Sequence, residues 1–145
     1  MTCYYRLLLL CSCLFPAALF AQESSFRYEP DQIHCLLLIP SEKWAPIDEL
    51  SGEIAKYNVQ FYAKDQLEVK RLKMPYLCPL PVFYVAPFKD SAAAMAYYQR
   101  LLKTKPNFMQ MNMIEQVWPL SNRNFNQVLL QQSLEGYPAF FREYY

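Results

Sequence analysis

Glycine is nearly absent from this sequence: two residues in 145, Gly52 and Gly136. A phosphate-cradling loop and a dinucleotide fingerprint both need several closely spaced glycines, so neither can be built. Histidine is scarcer still. His34 is the only one; it sits in an apolar strand, can form no metal cluster alone, and is framed by no serine or cysteine motif, so it reads as a structural imidazole. Basic runs are short. The densest, Lys70, Arg71 and Lys73, reads as the charged edge of a strand and is too small for a nucleic-acid footprint. Carboxylates are scattered singly, and Asp48 and Glu49 read as first-turn helix residues rather than an acid/base pair. The expectation is therefore a protein without enzymatic activity, cofactor or metal.

The sequence also lacks an uninterrupted apolar run of the roughly 20 residues needed to span a bilayer. Its apolar stretch Leu7–Phe15 follows Arg6, is broken by Pro16, and leads to the small residues Ala17, Ala18 and Ala21. That is the pattern of an export signal cleaved after Ala21. It divides the chain into a signal peptide (1–21), a polar leader (22–32) and a single domain (33–145), exported or periplasmic, with no transmembrane span after cleavage. In the alternative, "LCSC" makes Cys13 a lipidated N-terminal cysteine that anchors the protein to the envelope.

Cleavage would remove Arg6 and leave acidic and basic side chains equal in number. Three of the five cysteines would go as well, leaving Cys35 and Cys78 in a compartment where disulfides persist. Two readings stand open: a pair of buried thiols acting as small hydrophobes, or a Cys35–Cys78 disulfide between the starts of two strands expected to be adjacent and parallel.

What the chain has in quantity is apolar and aromatic pattern, with 17% aromatic residues and twelve tyrosines. Ile33–Ile39 and Val82–Ala86 are apolar on both alternating faces, as central strands require, whereas "LEVKRLK" (67–73) alternates with charge and "IEQVWPLS" carries Pro119, marks of edge strands. Pro46 opens a helix with Ile47, Leu50, Ile54 and Tyr57 on one face and Asn58 as its stop. Asp90 caps a second helix, "SAAAMAYYQRLLKTK", ended by Pro106. The order β-α-β-β-α-β predicts a ferredoxin-like α+β fold, an antiparallel four-stranded sheet with strands one and three inside, enlarged by C-terminal helices.

Two helices on one side of that sheet leave the other side apolar and open. The remaining chain supplies a cover: a helix capped by Ser121 or Asn122, a break at Gly136, and the ending "YPAFFREYY". Tyr137, Phe141 and Tyr144, spaced at helical intervals, are the residues expected to pack on the sheet.

The blocks "HCLLLI", "LEVKRL", "YVAPFKDSAAAMAYYQRLL", "SNRNFNQVL" and "YPAFFREYY" together resemble the C-terminal domain of tetratricopeptide-repeat lipoproteins associated with gliding motility and type IX secretion in Bacteroidetes. "LFAQ" also looks like signal peptides of that bacterial group. No tetratricopeptide array precedes the domain, so the chain looks like the terminal module alone. The resemblance implies an interaction module whose partner is a protein of the secretion or gliding machinery. A looser similarity links "VFYVAPFKDSAAAMAYYQRL" to peptidoglycan-binding SPOR domains, with Ala86 where a glycine is common. It implies glycan binding on an open sheet face.

Overall fold

The computed structural model describes residues 25–43 and 46–145. The proposed signal peptide, Cys13 and the start of the leader lie outside those residues. Strand β1 (His34–Pro40) is followed by α1 (Ile47–Tyr62), β2 (Glu68–Leu72), β3 (Val82–Phe88), α2 (Ser91–Thr104), a short α3 (Asn107–Gln110), β4 (Ile114–Ser121), α4 (Asn122–Gln131) and α5 (Tyr137–Tyr144). The fold is α+β, with one open four-stranded antiparallel sheet in the order β2-β3-β1-β4. The two doubly apolar strands are central and the two polar or proline-bearing strands form the edges.

All seven residues of β1 are buried, because successive side chains point to opposite faces and each face has its own cover. Leu36 and Leu38 join Phe83 and Val85 beneath Leu50 and Ile54 of α1 and Ala94, Tyr97 and Leu101 of α2. Cys35, Leu37 and Ile39 join Val82 and Leu120 on the other face, covered by Val128 of α4, Tyr137 and Phe140 of α5, and Phe26. Helix α1 runs one turn beyond Asn58. That residue is buried, and its Oδ1 accepts a hydrogen bond from the Tyr97 hydroxyl at 2.8 Å, so it ties two helices together instead of ending one. Helix α2 begins where Asp90 accepts from the Ala93 N–H at 2.8 Å. Gly136 separates α4 from α5 with φ +80°, a left-handed conformation that side chains rarely adopt.

Both sheet edges are guarded. On β2, Glu68, Lys70 and Arg71 are exposed. On β4 the phase of pairing is set by the Asn122 N–H donating to the Ile33 carbonyl at 2.9 Å. Counting back two residues at a time makes Leu36 and Pro119 a non-hydrogen-bonded pair, so the missing N–H of Pro119 leaves no gap in the ladder. An irregularity between Ile39 and Pro40 interrupts the same edge further along.

One expectation about β1 and β3 is corrected. They are adjacent but antiparallel, with Leu38 opposite Phe83, so the start of β3 lies beside the end of β1. Cys78 accordingly sits against the Pro40 carbonyl, to which its thiol donates at 3.6 Å. Five residues of strand, about 17 Å, separate that point from Cys35. No disulfide joins them. Both are buried free thiols.

Candidate functional site

The most distinctive chemistry lies where the two ends of the described chain meet at the start of β1. His34 is fully buried and uses both ring nitrogens: Nδ1 lies 2.7 Å from the Gln32 carbonyl oxygen, and Nε2 lies 2.9 Å from the Tyr145 hydroxyl. Burial lowers the imidazole pKa from its ordinary value, against the opposing pull of the Gln32 hydrogen bond and of the Asp90 and Glu29 carboxylates. Burial likewise pushes the Tyr145 phenol up to about 12. Beside it, the Tyr137 hydroxyl donates to the carbonyl of Pro119, the outward-facing acceptor of the β4 edge. Two tyrosines eight residues apart in chain number thus tie α5 to β4 and β1 respectively.

An aromatic layer surrounds this network. Phe26 meets Tyr137 edge-on at 4.9 Å, Phe141 meets Trp118 at 5.6 Å and Tyr98 at 5.5 Å, and Tyr145 stacks on Phe141 at 5.2 Å. Of the three residues expected to cover the sheet, Tyr137 is wholly buried, Phe141 is half-buried over the β4 edge, and Tyr144 is 45% exposed. Phe140, not Phe141, is the second ring pressed into the core. The spacing explains Tyr144: seven residues advance it about 10 Å along the helix, where it stacks on Tyr28 of the leader at 5.8 Å rather than on the sheet.

Sequence reasoning missed four members of this layer: Phe26, Trp118, Phe140 and Tyr145. A signal existed for Phe140, because Tyr137 and Phe140 form an i, i+3 pair as good as the i, i+4 pair with Phe141. None existed for Phe26, which sits alone in a polar segment.

Cys35, on the same face, has its thiol pKa raised, chiefly by burial, so it is not poised as a nucleophile. Among the described residues no group of three or more histidines, cysteines or carboxylates is arranged to hold a metal ion. An open cleft of about 950 Å³ runs between the leader, α4 and α5, lined by Arg27, Gln127, Gln131, Glu135, Glu143 and Tyr144 among others. No described helix is long and apolar enough to cross a membrane. Comparison with protein-family models, with curated proteins and with solved structures returned no match.

Proposed function

We propose that this chain is a ferredoxin-like βαββαβ unit enlarged by α4 and α5, and that it works as an exported, non-enzymatic interaction module of the cell envelope. The partner class is the one its resemblance implies, a protein of the type IX secretion or gliding machinery. One observation carries the reading: both sheet faces are filled by the chain's own helices, while large apolar side chains stand exposed on helices, with Leu130 79% and Val59 71% accessible. Leu130 follows the exposed Leu129 on α4, and Val59 and the exposed Phe61 share α1, so each helix offers an apolar docking point on its own side of the sheet. The guarded edges argue against recruitment by strand addition.

Glycan binding is the competing reading. An open sheet face would have favoured it, and here that face is occupied. What still speaks for it is the cleft beside α5, where Tyr144 stands with the Gln127 and Gln131 amides and two carboxylates. Gentle crosslinking in the native envelope followed by co-purification separates the two. The expected result is a discrete protein partner whose capture is lost in Leu130→Glu or Val59→Glu. Retention on purified peptidoglycan, abolished by Tyr144→Ala and indifferent to those variants, would replace the protein reading with the glycan one.

A further inference from the structure

His34 is the only histidine of the chain and the only imidazole whose charge can change near neutral pH. Its surroundings fix where its proton sits. The Gln32 carbonyl facing Nδ1 can only accept, so Nδ1 carries the hydrogen and a neutral ring offers only a lone pair at Nε2. The Tyr145 hydroxyl is then the donor to Nε2. Tyr137 spends its own proton on the Pro119 carbonyl. Three hydrogens serve three acceptors, and the neutral network is complete.

A second proton on the ring breaks this arrangement in two ways. It converts Nε2 from acceptor to donor, so the Tyr145 oxygen becomes the acceptor and its hydrogen must turn away, toward the Tyr137 hydroxyl. It also places a charge where water has no access. The charged groups facing the ring are few. Glu29 of the leader lies 3.8 Å from Arg123, and Asp90 lies 3.7 Å from Lys89 while capping α2 through the Ala93 N–H. Both carboxylates act on the imidazole at a distance, and neither hydrogen-bonds to it. The other titratable neighbours, the phenols of Tyr137 and Tyr145 and the Cys35 thiol, are all pushed upward by burial and stay neutral over the pH range in which histidine titrates.

We propose that His34 is a proton-operated latch on the C-terminal helix: when neutral it holds Tyr145 against β1, and when protonated it lets the last turn of α5 swing out. Release frees the rings against which Tyr145 packs, those of Tyr28, Phe140 and Phe141, and so adds an aromatic surface beside Tyr144. The sign follows from linkage. The closed state holds the imidazole pKa below 6.5 and the open state restores it, so the open state binds more protons below that pH. Opening is independent of pH above about 6.5 and grows by up to about tenfold per pH unit below it, until the closed-state pKa is reached.

Hydrogen exchange of the full chain at pH 7.5 and 5.5, corrected for intrinsic exchange, tests the latch. The expected result is a loss of up to about tenfold in protection over the end of α5, with β1 unchanged. In His34→Gln, which cannot titrate, that loss disappears, and in Tyr145→Phe the end of α5 exchanges fast at both pH values. An equal loss in His34→Gln would show that the effect does not originate at His34 and overturn the proposal. If His34→Gln does not fold, proton NMR of the single imidazole decides: a midpoint below 6.5 that returns toward 6.5 in Tyr145→Phe supports the latch. Titration at an ordinary midpoint with α5 protection intact overturns it.

Discussion

The two faces of the sheet are covered by the same kind of element but from different parts of the chain. Helices α1 and α2, which cover the first face, are crossovers, pinned at both ends by the strands they connect. The second face is closed by α4, α5 and the leader, segments from opposite ends of the described chain that meet at Phe26 and Tyr137. The polar anchoring differs accordingly. The first layer contains the Tyr97–Asn58 bond between helices, and the amide nitrogen of Asn58 is buried without a protein partner. The second has side chains bonded directly to the sheet: Tyr145 to His34 and Tyr137 to Pro119. A cover held between two strands is positioned by the backbone at both of its ends, whereas α5 is followed by no further described strand and is held to the sheet by directional bonds from its side chains.

The largest effect should come from the buried side chains of each layer. Leu101→Ala beneath α2 and Phe140→Ala beneath α5 remove fully packed side chains and should cost about 2–5 and 3–5 kcal/mol respectively. Urea unfolding followed by circular dichroism and, in a Trp44→Phe background, by the fluorescence of Trp118 sharpens the contrast. A single shared transition in both variants means the layers melt together. An early fluorescence transition confined to Phe140→Ala means the second layer melts first.

Phe141→Ala is the next test, and here the half-buried position matters. The loss should be about 1–2 kcal/mol, visible as a modest shift in urea midpoint with unchanged slope. A loss as large as that of Phe140→Ala would mean that the β4 edge, through Trp118, is as much a core as the sheet face.

Helix caps offer a matched pair one step smaller. Asp90 caps α2 through Ala93, and Ser121 caps α4 through the Asn124 N–H at 3.2 Å. Alanine at either site should cost about 1 kcal/mol in a thermal melt. Unequal costs would show which layer depends more on local helix formation.

The smallest effect is expected for Tyr144→Ala. Its ring is exposed on one side and stacks on Tyr28 on the other, so the melting curve should move by no more than the equivalent of about 1 kcal/mol. A larger loss would place Tyr144 among the structural residues of the second layer.

The difference between the layers also governs how much was legible in the sequence. The first layer is written in local periodicity: Leu50, Ile54 and Tyr57 mark a helical stripe, and the doubly apolar runs of β1 and β3 place both strands inside the sheet. Asn58 misled because its partner, Tyr97, belongs to another helix. The need for a second cover was legible from β1 alone, since alternate residues had to go somewhere apolar. Its details were not. Whether Phe140 or Phe141 faces the sheet depends on the angle at which α5 docks, and the pairing of His34 with Tyr145 depends on two chain ends meeting in space. Strand direction decided the cysteines, because a parallel pairing would have brought Cys35 and Cys78 to the same end of the sheet and the antiparallel one separates them.

The hydrogen bond between His34 and Tyr145 joins residues 111 positions apart, and this sets a timetable for synthesis. The ribosome delivers β1 early and Tyr145 after every other described residue. Until α4 and α5 follow, Leu37, Ile39 and Val82 lack Val128, Tyr137 and Phe140 above them and present the adhesive surface that chaperones recognise. A chain stopped before Gly136 would hold all four strands yet lack Tyr137 and Phe140, and its expected fate is aggregation or proteolysis rather than a smaller working module.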